Sequence, residues 1–305
     1  MEGIKMIYTL TLNPSIDYVV HMDAFISGIT NRTAAEEYYV GGKGINVSCI
    51  LSRLGHTSTA LGFTAGFTGR EIENVLRQWG IHTDFVRLKE GISRINVKVK
   101  AECESEINAQ GPPVSREEWE QLLQKTDNAV NGDTFVLAGS IPPTVVRNAY
   151  ECFLQRLHNR NVRVVVDAAG QLLMDCLAYR PFLIKPNRQE LSELFGTTLI
   201  DLSDIQRCAL TLRQKGARNV LVSLGAEGAV LFAENGKVYH SGVVPGKAKN
   251  TVGAGDSMVA GFLSGYEQQE DYAYALKWGT ACANATAFSS GLAEKQTIWE
   301  MFGRL

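Results

Sequence analysis

Two glycine clusters in this chain combine residue types suited to handling phosphate. One reads Asn250-Thr251-Val252-Gly253-Ala254-Gly255-Asp256 and opens a helical pattern running through Ser257, Val259, Ala260 and Phe262. Free N–H groups of Gly253, Ala254, Gly255 and Asp256 would converge at that helix start and favour negative charge developing on a transferred phosphoryl group. A carboxylate beside such an anion hole is placed to take a proton from an attacking hydroxyl. Asp256 could instead be a helix cap, the usual role of aspartate there, although a cap needs no Gly-x-Gly before it. The other cluster, Gly41-Gly42-Lys43-Gly44-Ile45-Asn46, follows an extended segment and opens a helix. Its glycines allow close backbone approach to a ligand, and Lys43 and Asn46 add a cation and an amide; the bland alternative is a turn plus a helix start.

Neither cluster fits the phosphate-loop pattern Gly-x4-Gly-Lys-[Ser/Thr]. The dinucleotide pattern Gly-x-Gly-x-x-Gly fails at Met258, and no protein-kinase His-Arg-Asp set occurs. A phosphate-loop ATPase and a simple dehydrogenase lose support. The six cysteines include no Cys-x-x-Cys and the five histidines form no paired ligand set, so reduced, mostly buried thiols in a cytoplasmic protein are expected, and any metal site would use oxygen ligands.

The elements that must position these residues follow from hydrophobic periodicity. Ile7–Leu12 and Ser58–Phe63 read as strands, with a helix through Ile45–Leu54 closed by Gly55 and another over Arg70–Trp79 closed by Gly80. From Ser115 the pattern is regular. Helices at 115–129, 144–158, 171–177, 188–195 and 203–215 alternate with strands at 134–138, 162–166, 182–184 and 220–223. Such alternation predicts a parallel sheet covered on both faces. A hairpin around Asn235-Gly236 joins strands 228–233 and 237–241, and two helices, 254–267 and 271–288, finish the chain. Segments 18–22, 33–40, 92–99 and 104–110 alternate instead, and predict a small separate sheet inserted into the main domain. Parallel sheets hold ligands at the carboxyl ends of their strands, where the glycine clusters fall.

Length and composition agree. With 305 residues, 45% apolar and 20% charged, the chain suits one large α/β domain with a small appendage. Lys plus Arg number 30 against 32 Asp plus Glu, a net charge of -2, so no broad basic field exists for nucleic acid. No stretch approaches the roughly 18 apolar residues of a membrane span. Met1-Glu2-Gly3-Ile4-Lys5-Met6 lacks the long apolar core of a signal peptide, and Met6 could be the working start, with residues 1–5 an upstream extension.

The two glycine clusters, in this order and separation, resemble the signatures of the ribokinase-like (PfkB) sugar kinases. So do Lys185-Pro186-Asn187-Arg188-Gln189-Glu190 and Ser223-Leu224-Gly225-Ala226-Glu227-Gly228. The resemblance covers about residues 6–305. It implies a three-layer α/β/α fold with a mainly parallel central sheet, in one kinase domain (1–305) with a discontinuous β lid from about 18–40 and 92–110. Thr11-Leu12-Asn13-Pro14-Ser15-Ile16-Asp17, Ser93-Arg94-Ile95-Asn96-Val97-Lys98, Glu106-Ile107-Asn108 and Ala138-Gly139-Ser140-Ile141-Pro142-Pro143 are closest to the members acting on fructose 1-phosphate. Tagatose 6-phosphate kinases share much of this set.

The resemblance implies ATP-dependent phosphorylation of fructose 1-phosphate at its 6-hydroxyl, by in-line transfer that positioning and charge stabilisation accelerate. Asp256 would be the base and Gly253, Ala254 and Gly255 the anion hole. Asp17, Gly42, Asn46 and Ser140 would contact the sugar; Lys43 and Arg94, with Arg32 a weaker candidate, would hold its phosphate. Lys185, Asn187, Ser223, Gly225, Gly228 and Asn284 would bind ATP. Glu190 would hold Mg²⁺ through water, even if Asn187 and Glu190 also form a helix capping box. Departures are few: Asn250 stands where many members have Asp, Cys49 where an arginine is common, and Met258 where Phe is usual. In the family the inserted sheet covers the sugar, and lids of phosphosugar kinases often pair, so a homodimer is expected through an otherwise exposed apolar face. The alternatives are phosphorylation of tagatose 6-phosphate or fructose 6-phosphate, a nucleoside kinase, which Lys43 and Arg94 disfavour, and a silent sugar-phosphate or nucleotide-binding regulator, which the intact Asp256 disfavours.

Overall fold

The structure, a computed structural model, describes residues 5–305. The expectations about residues 1–4 lie outside the described residues. Among those described, the main sheet has ten strands. They are β1 (Ile7–Thr11), β4 (Ser58–Ala65), β5 (His82–Thr83), β6 (Val86–Leu88), β9 (Thr134–Ala138), β10 (Arg163–Asp167), β11 (Leu183–Ile184), β12 (Asn219–Ser223), β13 (Ala229–Phe232) and β14 (Val238–Ser241). Their order is β14-β13-β12-β11-β10-β9-β1-β4-β5, with β6 also on β4. Pairing is parallel from β5 to β12 and antiparallel across β12-β13-β14.

Alternation along these short strands divides the core. Phe135 and Leu137 point to one face, packed with Val164, Val166, Val220 and Val222. Helices α3 (Arg116–Gln124), α4 (Ala149–Leu157), α5 (Gly170–Cys176), α6 (Arg188–Phe195) and α7 (Leu202–Gln214) cover it. Val136 and Ala138 point to the other face, with Val165 and Leu221, under α1 (Lys43–Arg53), α8 (Ala254–Gln269), α9 (Tyr272–Ala287) and α10 (Lys295–Arg304). Helix α2 (Gly66–Gln78) closes a smaller cluster, where Ile72 and Leu76 meet Ile45, Cys49 and Ala60. These are the three layers expected of buried strands joined by crossover helices.

A second sheet has the order β3-β2-β7-β8, formed by β2 (Ser15–His21), β3 (Ala35–Gly41), β7 (Arg94–Lys100) and β8 (Ser105–Ile107). The expected small sheet is thus present, with strands shifted a few residues from the predicted segments and the last one cut to three residues. Tyr18, Tyr38, Tyr39 and Ile107 on this sheet are exposed.

Three sequence expectations change. A third helix, α10, follows the two expected at the end of the chain. Its Ile298 and Met301 are buried, and its Phe302 stacks on Trp278 at 4.2 Å. Helix α4 opens at Ala149 rather than 144, because Pro142 and Pro143 lead into turns in which Val145 N–H bonds Pro142 O and Ala149 N–H bonds Val146 O. Cys103 is exposed, whereas Cys49, Cys176, Cys208 and Cys282 are buried and free. No helix among the described residues is long and apolar enough to cross a membrane.

Candidate active site

The chemistry-bearing residues collect at the carboxyl ends of the parallel strands. Asp167 ends β10, Lys185 follows β11, Ser223 ends β12 and Ser140 follows β9. The glycine clusters bring the opening turns of α1 and α8 to the same end. Gly44 lets α1 press against β1: a Cβ there would lie 2.6 Å from Leu10 O and from Thr11 Oγ1. Thr11 Oγ1 accepts the Ile45 N–H at 3.0 Å and fixes that turn.

Helix α8 begins at Gly253 in the left-handed region, φ 80°, with no side chain capping it. Asp256 is therefore not a cap. Its carboxylate is buried and accepts a hydrogen bond from Asn46 Nδ2 at 2.7 Å, which ties the two glycine clusters together. The Ala254 N–H reaches Thr251 O at 3.3 Å, while the Gly255 and Asp256 N–H groups meet no acceptor outside the helix among the described residues. Burial and the Asp167 carboxylate push the Asp256 pKa up to about 6; Asn46, Lys43 and Lys185 pull against that rise.

Asp167 is the main residue that sequence reasoning missed. It is 2% exposed and lies between two ammonium groups: Lys185 Nζ is 3.4 Å from Oδ1, and Lys43 Nζ is 3.4 Å from Oδ2. No hydrogen bond satisfies Oδ1. Lys43, expected at the substrate phosphate, thus turns toward Asp167. Burial disfavours its ammonium, but Asp167, Asp256 and Glu190 outweigh that and raise its pKa. The readable signal was an acid directly ending the apolar run Val164-Val165-Val166, at the carboxyl end of a buried strand.

A second sector lies on the small sheet. Asp17 Oδ1 accepts from Ser15 Oγ and Asn96 Nδ2, both at 2.8 Å, and Lys98 Nζ lies 3.4 Å from Oδ2. Ser15, Asn96 and Lys98 were not predicted as site residues. Arg94 donates through Nε to Asn13 O at 3.0 Å; burial lowers its pKa against the opposing charge of Asp17. Gly41 connects the sectors, since a Cβ there would lie 2.8 Å from Ser15 Oγ and 3.1 Å from Asp17 Oδ2. Gly42 follows with φ 134°. Gly139, just before Ser140, faces the Lys43 side chain, a Cβ there lying 3.8 Å from Lys43 Cβ. Arg32 is exposed, and no hydrogen bond or ion pair joins it to either sector among the described residues.

A third sector links β11 and β12. Asn187 bridges to Ser223, and the Ser223 N–H donates to Pro186 O at 3.2 Å. Asn187 and Glu190 form a reciprocal capping box, each bond 2.8 Å, which uses Glu190 Oε2. Gly225 and Gly228 bound a short turn in which the Leu224 N–H bonds Gly228 O at 2.8 Å. A Cβ on Gly228 would lie 2.0 Å from Ser241 O. Asn284, on α9, is buried and its Nδ2 has no hydrogen-bond partner, an unfilled donor that a ligand could meet.

Among the described residues no three His, Cys, Asp or Glu side chains cluster as a metal cage. Mg²⁺ is commonly held by one or two carboxylates together with substrate phosphates. The unsatisfied Asp167 Oδ1 and the Glu190 carboxylate fit that donor type.

Comparison with known proteins bears on the family and the fold. The profile of the pfkB family carbohydrate kinases matches residues 10–299. The chain is 43% identical over 296 residues to the 1-phosphofructokinase of Bacillus subtilis, covering 97% of each. It is 38% identical over 290 residues to the D-tagatose-1-phosphate kinase of Bacillus licheniformis, covering 95% of each. Its fold superposes on phosphofructokinase-2 from Escherichia coli in complex with fructose-6-phosphate with a TM-score of 0.90 at 27% identity, covering 98% of this chain and 99% of that one.

Proposed function

This chain belongs to the pfkB family of carbohydrate kinases, and from that premise we propose that it transfers the γ-phosphoryl group of ATP to the 6-hydroxyl of D-fructose 1-phosphate, giving fructose 1,6-bisphosphate and ADP. The observation that carries the reading is Asp256: a buried carboxylate with a raised pKa, one residue beyond the Gly253-Ala254-Gly255 turn. The Bacillus relatives, at 43% and 38% identity, support a ketohexose 1-phosphate as acceptor over the fructose 6-phosphate of the 27% identical structural neighbour.

Asp256 accepts the proton of the 6-hydroxyl as that oxygen attacks phosphorus, and the bond to the ADP oxygen breaks on the opposite side. The amides of Gly253, Ala254 and Gly255 receive the charge on the transferring group, the Ala254 N–H giving up Thr251 O to do so. Lys185 and Lys43, on either side of Asp167, neutralise the same region. Asp17, Gly42, Asn46 and Ser140 hold the sugar, and Arg94, in the Asp17 sector, takes the 1-phosphate. Asn187, Ser223, Gly225, Gly228 and Asn284 line the nucleotide. Bound Mg²⁺ would neutralise charge on the nucleotide phosphates, with Glu190 and Asp167 as its carboxylates.

We further propose one kinase domain with a discontinuous lid at about 18–40 and 92–110, pairing as a homodimer through the exposed face carrying Tyr18, Tyr38 and Ile107, opposite the face of Asp17 and Tyr39. The buried free thiols support a cytoplasmic location. A coupled ADP-release assay with fructose 1-phosphate, D-tagatose 1-phosphate, fructose 6-phosphate, tagatose 6-phosphate, ribose and adenosine tests the substrate. Fructose 1-phosphate is expected to give the highest kcat/KM, and a higher value for any other acceptor overturns the assignment.

A further inference from the structure

At the opposite end of the main sheet lies a cavity of about 530 Å³ that the kinase reading does not use. It sits where the chain enters β11 and β12, at their amino ends, away from Asp167 and Ser223. Four cationic residues line it, Arg180, Arg213, Lys215 and Arg218, against one carboxylate, Glu234. That carboxylate is already engaged. Arg218 donates to it through Nε at 2.6 Å and Nη2 at 2.9 Å, and Tyr272 O–H donates at 2.6 Å. Burial raises the Glu234 pKa, but the bonds from Arg218 and Tyr272 outweigh burial and keep it below its ordinary value, so it remains charged.

Arg213 also faces the Glu234 charge without bonding it, and Arg180 and Lys215 are exposed. Among the described residues, none of Arg180, Arg213 and Lys215 makes a side-chain hydrogen bond or an ion pair within 4.0 Å. Arg213 Nε is buried without any acceptor, an expensive state for a charged donor. Cations at the carboxyl end of α7 complement its dipole, which accounts for the positions of Arg213 and Lys215. It does not account for a buried guanidinium nitrogen lacking an acceptor. Arg180 ends a short helical turn in the left-handed region at φ 54°, its N–H bonded to Leu177 O, which fixes where its side chain leaves the backbone. The cavity floor is fixed by close packing, since a Cβ on Gly216 would lie 2.0 Å from Leu177 O.

We propose that this cavity is a second anion site, taking a small phosphorylated ligand whose oxygens satisfy Arg213 Nε and the Arg180 and Lys215 head groups. The volume lies within the range of small-molecule sites, roughly 300–1,000 Å³. Guanidinium groups favour the planar, multidentate binding that phosphate offers.

Calorimetric titration with inorganic pyrophosphate, and separately with orthophosphate, tests this in magnesium-free buffer. The proteins are the wild type, the double variant Arg180→Glu/Lys215→Glu, Lys185→Met at the other end of the sheet, and the double variant combined with Lys185→Met. Both substituted groove side chains are exposed or unpaired, so the double variant is expected to keep the wild-type circular dichroism and kinase activity. Millimolar or tighter pyrophosphate binding is expected in the wild type and in Lys185→Met, weakened at least about tenfold in the combined variant. Arg213→Gln, with its charge removed and its bulk largely kept, is expected to weaken binding likewise. Absence of binding to Lys185→Met, or binding that is undiminished when Arg180→Glu/Lys215→Glu is combined with Lys185→Met, overturns the proposal, since that background weakens pyrophosphate at the kinase site. Orthophosphate binding without a preference for pyrophosphate assigns the site to a single phosphate group; the reverse assigns it to a diphosphate. None of these results depends on which sugar is phosphorylated.

Discussion

The protonation of Asp256 sets the acid limit of the proposed reaction. A base must be ionised to accept the hydroxyl proton, and burial together with Asp167 holds this carboxyl at a pKa of about 6. The kcat/KM for the sugar should therefore fall as pH drops through about 6 and level off above it. Asn46 donates to the ionised form and pulls the pKa down, so Asn46→Ala should move that acid limb to higher pH. A profile with the limb unmoved shows that Asn46 does not act on Asp256. Asp256→Asn should lower kcat by about 10²–10⁴-fold with nucleotide binding nearly intact; a fully active variant points to another base. The two glycine clusters and Asp256 were legible in the sequence because each motif is contiguous and its backbone chemistry is local. Asp167, Asn96 and Ser15 were not legible as site residues. A single acid at a strand end says nothing until the fold puts two lysines beside it, and Asp17 meets Asn96 only through the β2–β7 pairing.

Helix α1 shows how an element delivers such residues. Its first turn lies so close to β1 that Gly44 has no room for a side chain. Gly44→Ala should push α1 away from Leu10 and Thr11 and destabilise the protein by about 1–3 kcal/mol. Denaturant unfolding measures this; an unchanged midpoint would show that α1 adjusts without cost. The same displacement should raise the KM for the sugar, because Asn46 and Gly42 move with the helix. Elements with many apolar repeats, such as α7 and α9, were read from periodicity to within a residue or two at their ends. The two-residue strand β5, the three-residue β6 and the late start of α4 were not, because tertiary pairing and turn chemistry decide them. Helix α10 was missed, although Ile298, Trp299, Met301 and Phe302 lie at helical spacing.

The whole molecule leaves Tyr18, Tyr38 and Ile107 exposed on one face of the small sheet, a face that a second copy of the chain would cover. The double variant Tyr38→Glu/Ile107→Glu should shift the sedimentation velocity from dimer to monomer. A wild type that sediments as a monomer at micromolar concentration refutes the pairing. The layered architecture was legible from alternating helical and strand patterns; the partner face was not, since alternation identifies a sheet without saying what lies across it. One covalent detail ties this outer sheet to the interior. Gly42 alone separates the last residue of β3 from the first of α1, at a φ of 134° that favours glycine. A rotation of the small sheet would bear through that one residue on the helix that carries Asn46. On the proposed reading, a sugar that clamps that sheet would also restrain this link, and its occupancy and the alignment of Asp256 would follow one mechanical coordinate.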